Sequence, residues 1–250
     1  MGTRLYLTGR IRIEGPTALV DESALAGRQG RLAFAMLACE RAHPLSRDML
    51  ADQLWPGQLP SKWERALSAI ISKLRSALAT TGLGGEVIHN AFSCYQLQLP
   101  ADAWVDVEEA EAALHQAETA IGVGDMRAAF GPAHVALYIS ERPFLPGEDA
   151  EWATARQGQW RAMRVRALDV TAAVCAANNE MDVALRHAEQ AVTIEPLREA
   201  GWRHLMSLHA DNGDRASALR VFERCRKTLA EELGIHPSPE TQARYADLLG

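Results

Sequence analysis

Ser61-Lys62-Trp63-Glu64-Arg65-Ala66-Leu67-Ser68-Ala69-Ile70-Ile71-Ser72-Lys73-Leu74-Arg75-Ser76-Ala77-Leu78 is the stretch that decides the fold. Trp63, Leu67, Ile70, Ile71, Leu74 and Leu78 recur at intervals of three and four, which puts them on one apolar face of an α-helix. Ser61 stands as an N-cap with Glu64 three residues on, the spacing of a capping box. A helix is therefore expected from Lys62 to about Ala79. Its opposite face carries Lys62, Arg65, Ser68, Ala69, Ser72, Lys73 and Ser76, with Glu64 as the acid nearby. A small, polar and basic face of this kind is either ordinary solvated surface or an element that enters a groove in DNA. The neighbouring elements decide between the two.

Upstream, Leu5–Leu7, Arg10–Ile13 and Ala18–Val20 read as short strands separated by turn residues. A first helix is expected from about Gln29 to Cys39, with Leu32, Ala33, Met36 and Leu37 on one stripe. His43-Pro44 ends it. Ser46 caps a short second helix, Arg47 to Leu54, which Trp55-Pro56-Gly57 breaks. Downstream, Gly82, Gly84 and Gly85 close the third helix. Val87-Ile88 and Tyr95–Leu99 read as two strands joined by a loop from His89 to Cys94. Strands, three helices and a hairpin, in that order, describe a winged helix-turn-helix over residues 1–99. The third helix would lie in the major groove and the hairpin would reach the backbone or minor groove beside it.

The expected DNA contacts follow from that placement. Arg65, Ser68, Ala69, Ser72 and Lys73 face the groove, and an Arg can hold guanine with two hydrogen bonds. Lys62 stands at the helix start, and Arg75 lies partly toward the core or the next strand. Arg28, Arg31 and Arg47 sit at the starts of the first two helices, where basic side chains and free backbone N–H groups suit phosphate oxygens. The competing reading for them is surface solubility or pairing with Glu40, Asp48 or Asp52. His89 and Asn90 open the hairpin, as backbone contacts or simply as turn residues. Trp55, Trp63 and Trp104 read as structural rather than as a platform for stacking single strands.

After Pro100–Val105 the pattern turns helical throughout. Helices are expected over 107–121, 126–139 and 151–176, with a Pro/Gly-rich loop at 142–147. Asn179–Leu185 and Gly213–Leu219 then match in spacing at an offset of 34, the tetratricopeptide period, with Ala184 opposite Ala218. Further helices at 182–193, 199–211, 215–233 and 239–248 complete an all-α domain over 106–250. Trp152, Trp160 and Trp202 are expected to pack between helical hairpins. The fold class is thus mainly α, a winged helix-turn-helix followed by a tetratricopeptide-like helical domain.

Charge divides along the same line. Residues 1–99 hold 11 Lys/Arg and 8 Asp/Glu, a net of +3; residues 100–250 hold 15 and 24, a net of −9. Contact with nucleic acid therefore belongs to the head. No apolar run approaches membrane-spanning length. The segment from Met1 to Arg12 does not have the pattern of a secretory leader, so a cytoplasmic protein is expected. Cys39, Cys94, Cys175 and Cys225 are scattered, which argues for thiols rather than a disulfide framework or a zinc site. The eight histidines form no compact ligand pattern, and there is no phosphate-cradling GxxxxGK[ST] or GxSxG elbow. No enzyme, metal or cofactor is expected.

Four stretches carry a resemblance. Arg28-Gln-Gly-Arg-Leu-Ala33, His43–Leu50 with Leu54-Trp55, Arg65-Ala-Leu67 with Ile71–Leu78, and Glu231-Glu-Leu-Gly-Ile-His-Pro-Ser-Pro-Glu240 are similar to motifs of the Streptomyces antibiotic regulatory protein family. Its members join a winged DNA-binding domain to a bacterial transcriptional activator domain. The resemblance covers nearly the whole chain. It implies a transcription activator that binds direct repeats of duplex DNA at a promoter and helps recruit RNA polymerase. The chain departs from the family where Glu64 and Arg65 replace a basic residue followed by Asn, and where Cys94 replaces a Gly before Tyr95. Both departures sit at or beside expected DNA contacts. Without a heptad stretch to hold a permanent coiled coil, pairing of two copies is expected on the DNA. A reading from another class is a protein-binding helical adaptor whose winged domain has lost its operator, since hairpin repeats often form concave protein-binding surfaces.

Overall fold

The computed structural model describes residues 2–84 and 86–250. Gly85, expected to help close the third helix, lies outside the described residues, as does Met1. In chain order the elements are β1 (Arg4–Tyr6), β2 (Arg12–Glu14), β3 (Leu19–Asp21), α1 (Gly27–Cys39), β4 (Leu45–Ser46), α2 (Arg47–Leu54), α3 (Trp63–Thr80), β5 (Ile88–Ala91), β6 (Cys94–Leu97), β7 (Trp104–Val105), α4 (Asp106–Gly122), α5 (Met126–Ser140), α6 (Glu151–Ala177), α7 (Met181–Ile194), α8 (Glu199–Asp211), α9 (Arg215–Leu233) and α10 (Pro239–Leu249). None of the described helices is long and apolar enough to cross a membrane.

The chain forms two compact units. One takes in the chain up to Glu109 together with Arg142–Trp160; the other takes in Ala110–Glu141 and Arg161–Gly250. This division differs from a simple cut after residue 99, because the segment 142–160 packs within the first unit. Its ties there are specific. Thr8 forms an isolated β-bridge with Phe144, Gly9 donates its N–H to the Pro143 carbonyl at 2.8 Å, and Trp152 donates its backbone N–H to Gln53 at 2.8 Å. Trp152 and Trp160, expected between helical hairpins, instead stand beside the Phe144 ring at 6.0 and 6.5 Å.

In the first unit β1, β2 and β3 form an antiparallel meander, with Leu5 opposite Ile13 and Ile13 opposite Val20. β7 adds to the free edge of β1 in parallel, with Leu5 beside Val105. Trp104 and Val105, expected in a linker, are therefore part of a sheet, and the Trp104 ring lies 5.3 Å from that of Tyr6. Asp106 follows directly and is fully buried. Its carboxylate accepts from the Leu7 N–H at 2.9 Å, the Thr8 N–H at 3.0 Å and the Thr8 hydroxyl at 2.6 Å. It ties the end of the first strand to the start of α4.

The spacing of Leu32, Ala33, Met36 and Leu37 predicts one buried stripe on α1. Instead every residue from Leu32 to Ala38 is buried, because α2, α3 and β6 all pack against it. Small residues make this possible: Ala33, Ala35 and Ala38 let neighbours approach closely. Gly30 is needed for the same reason. A Cβ there would lie 1.5 Å from the Leu25 carbonyl oxygen, because the chain entering α1 turns back across that position.

In the second unit α4, α5 and α6 meet through Ala117, Ala129, Ala133 and Val174. The 34-residue period is present in the structure: α7 begins at Met181 and α9 at Arg215. Ala184 and Ala218 are both fully buried. Asn179 and Gly213 take up the left-handed conformation just before those helices, at φ 62° and 77°. Between the hairpins Trp202, Leu205, Met206, Val221, Phe222, Cys225 and Leu229 form the core. Burial pushes the Cys175 and Cys225 thiols up to about 11 and about 12, so neither is a nucleophile near neutral pH. The closing motif 231–240 also has a structural account. Gly234 ends α9 in the left-handed conformation, and Glu199 accepts the Ser238 N–H at 2.9 Å and its hydroxyl at 2.8 Å. Burial pushes the Glu199 carboxyl up. Hydrogen bonds from Thr241 and Ser238 outweigh it and hold the group below its ordinary value.

Candidate nucleic-acid interface

α3 is positioned by its apolar face. Leu67, Ile70, Ile71, Leu74 and Leu78 are buried, as the spacing required; Trp63 is half-buried. The helix starts one residue later than expected, and Ser61 does not cap it. The Trp63 N–H is taken instead by the Pro60 carbonyl at 3.0 Å, in a turn that replaces the capping box.

The other face is open. Lys62, Glu64, Arg65, Ser68, Ala69, Ser72, Lys73 and Ser76 are all exposed. Arg65, Ser68, Ala69, Ser72 and Lys73 follow one another at helical spacing, so they form a single stripe. Lys62 to Lys73 spans about 16 Å at the helical rise of about 1.5 Å per residue, roughly the length of major groove that one helix can read. Among the described residues, no ion pair engages Lys62, Arg65 or Lys73, in contrast to the paired arginines elsewhere on the chain. Ser68 donates its hydroxyl back to the Glu64 carbonyl at 2.8 Å. Its oxygen is left to accept.

The wing is a tighter hairpin than expected. β5 and β6 pair in register from Ile88 opposite Leu97 to Ala91 opposite Cys94. His89 and Asn90 thus belong to a strand, and the turn is the two residues Phe92 and Ser93. Both have positive φ, 50° and 60°, the conformation of the two-residue turns whose twist suits a hairpin. β4, just before α2, adds to the other side of β6, with Leu45 opposite Tyr95.

Two arginines hold the wing to the helices. Arg75 donates from Nε and Nη2 to the Ile88 carbonyl at 3.0 and 2.6 Å, so it fixes the base of the wing to α3. Arg47 donates its backbone N–H to the Ser93 carbonyl at 3.0 Å and its guanidinium to the Asn90 side chain at 3.3 Å. It also lies over the Tyr95 ring, 5.4 Å from its centroid. Arg47, Asn90 and the wing turn therefore stand together at the start of α2.

Arg28 and Arg31 are placed differently. Arg28 pairs with Glu148 at 2.5 Å and with Asp149, and its hydrogen bond to Glu148 raises its pKa. Arg31 donates to the Pro146 carbonyl at 2.6 Å and lies 3.7 Å from Glu22. The loop before α6 thus occupies both guanidinium groups with partners in the same unit. The competing acids Glu40, Asp48 and Asp52 named from sequence are not the partners; Glu40 instead takes Arg156 at 2.8 Å. Sequence reading missed Phe92, which is fully exposed at the wing tip at 101%. The available signal was an aromatic residue inside a segment of loop composition.

Residues 105–249, more than half of the chain, match the family model described as bacterial transcriptional activator domain. The chain is 26% identical to the transcriptional regulatory protein MoaR1 of Mycobacterium tuberculosis over 88% of its own length and 71% of that protein's. It is 28% identical to the regulatory protein AfsR of Streptomyces coelicolor over 93% of its own length but 23% of that protein's. Its fold superimposes on the solved structure of M. tuberculosis EmbR with a TM-score of 0.89 at 23% identity, covering 99% of this chain and 65% of that one.

Proposed function

The chain belongs to the bacterial transcriptional activator domain family, and from that membership we propose that it is a sequence-specific regulator of transcription, an activator that binds duplex DNA through its first unit. The observation that carries this reading is the open stripe, free of ion pairs among the described residues, that runs from Lys62 at the N-cap of α3 to Lys73, flanked by a wing. Arg65, Ser68, Ala69, Ser72 and Lys73 read the major groove. Arg47, His89 and Asn90 lie against the backbone on the wing side. Arg75 positions the wing rather than the DNA. Arg28 and Arg31, engaged by Glu148, Asp149 and Pro146, serve the first unit's own packing and are left out of the contact surface.

One module of this kind covers a modest area, about 600–1,000 Å² of protein surface. Selective control of a promoter then calls for two copies side by side on direct repeats, with RNA polymerase as the protein partner. The acidic helical region offers a surface of opposite charge to a basic patch on either. A cytoplasmic protein without catalytic function fits this role.

Substitution tests the reading on a duplex that the full-length chain recovers from a randomised pool. Arg65→Ala is expected to lose about 1–3 kcal/mol of discrimination between that duplex and single-base variants. Lys73→Ala removes a charge beside the groove and is expected to weaken binding and to reduce its salt dependence by about one phosphate's worth. Both side chains are exposed, so neither change should alter the melting temperature. Binding by both variants equal to the unaltered chain, measured by fluorescence anisotropy, would remove α3 from the DNA surface.

A further inference from the structure

Phe92 is unusual in two ways at once. It is the most exposed of the large apolar side chains among the described residues, and it occupies the left-handed region at φ 50°, where residues with a Cβ are rare. An Asn-Gly pair would make the same two-residue turn without strain. The exposed ring and the strained backbone both oppose folding, and no contact within the protein offsets them. The turn itself is held rigid, by the four-residue register of β5 and β6 and by the Arg47 N–H on the Ser93 carbonyl. The ring is thus carried at a fixed point beyond the sheet. Backbone strain of this sort is found where function requires a particular side chain.

The surroundings indicate what the ring meets. His89, Asn90, Ala91 and Ser93 beside it are exposed, and the Arg47 guanidinium is bonded to Asn90. A protein-binding site would spread apolar area around the ring. On the hairpin itself the ring is, among the described residues, the one large exposed apolar group, with small and hydrogen-bonding neighbours and the Arg47 guanidinium on Asn90, a composition suited to a base stack between two phosphate backbones. We propose that Phe92 is an apolar wedge that enters the minor groove beside the segment read by α3 and partly unstacks one base step. This rests on the DNA-binding reading of the first unit. A wedge of this kind kinks the duplex. It therefore favours a pyrimidine–purine step, the kind most easily unstacked, at a position the protein does not read by hydrogen bonding.

The test uses the full-length chain and a duplex it selects from a randomised pool, with 2-aminopurine placed at successive steps under the wing and dyes on the two ends. Phe92→Gly suits φ 50°, so the hairpin should melt no lower than in the unaltered chain. The unaltered protein should raise 2-aminopurine fluorescence at one step and shorten the end-to-end distance. Phe92→Gly should lose both signals and about tenfold in affinity, the order expected for removing one aromatic that stacks on a base. Arg65→Ala should bind more weakly yet keep both signals at saturation. Equal affinity and equal fluorescence for Phe92→Gly would overturn the wedge and leave the DNA-binding reading standing. So would a loss of affinity with no unstacking by the unaltered chain, which would place the ring against the sugar backbone. Unchanged DNA binding with loss of polymerase-dependent transcription would overturn it in favour of a protein contact. If the chain selects no duplex at all, the DNA-binding reading fails and the wedge with it.

Discussion

Asp106→Ala should lower the stability of the first unit by about 3–5 kcal/mol, the range seen when one partner of a buried polar network is removed. The carboxylate is fully buried and accepts three hydrogen bonds from Leu7 and Thr8. Leu7 and Thr8 are themselves buried, so bulk water does not reach the freed donors. Two backbone N–H groups and a hydroxyl are left without partners. With a chain of this size, about 2–4 °C of melting temperature accompanies each kcal/mol, so a drop of about 10 °C is expected in a thermal melt followed by circular dichroism. Asp106→Asn keeps one acceptor oxygen and should fall between the two. A melt of Asp106→Ala that overlays the unaltered protein's would show that the network does not hold the first strand to α4.

Gly30→Ala is the second large effect, and here the sign is the test. Within a helix, replacing Gly by Ala ordinarily stabilises by about 1 kcal/mol. At position 30 the new Cβ would lie 1.5 Å from the Leu25 oxygen and 2.6 Å from its carbon. Those are backbone atoms at the entry to α1 and cannot swing aside. The helix must shift in a core with no slack around Leu32–Ala38, and a loss of about 3 kcal/mol is expected, the upper part of the range for overpacking. Gly158→Ala in α6 is the matched control, since a Cβ there meets nothing within 4 Å; it should stabilise. Urea titrations of both would decide, and stabilisation by Gly30→Ala would contradict the packing described around α1.

The sequence made the repetitive features easiest to read. The periodic apolar residues of α3 and the 34-residue offset from α7 to α9 were legible because a helix buries side chains at fixed spacing. The open face of α3 was legible for the same reason. What was hidden depends on chain segments that meet far apart in sequence. Glu148 and Asp149 reach Arg28 across some hundred and twenty residues, and no local pattern announces that a Pro/Gly-rich loop will occupy two arginines at the start of α1. β7 was hidden because two residues paired in parallel leave no alternation to count. Asp106 stands one residue before the expected helix, and nothing local marks it as the buried acceptor for Leu7 and Thr8. Arg75 could be placed partly toward the next strand and Arg47 only at the start of α2, and neither could be assigned to holding the wing. Phe92 was counted as loop, since a turn of Phe and Ser lacks the Gly or Asn that usually marks positive φ.

The most direct test of the central claim is a salt titration of the full-length chain against two duplexes, one recovered by selection and one of the same composition in scrambled order. Affinity for both is expected to fall as salt rises, since phosphate contacts release counterions. Preference for the selected duplex persists, because hydrogen bonds to base edges discriminate between two duplexes whose phosphates release counterions alike. Equal, salt-sensitive binding to both duplexes, or no binding to either, would contradict that claim and favour a helical adaptor whose winged unit reads no DNA sequence.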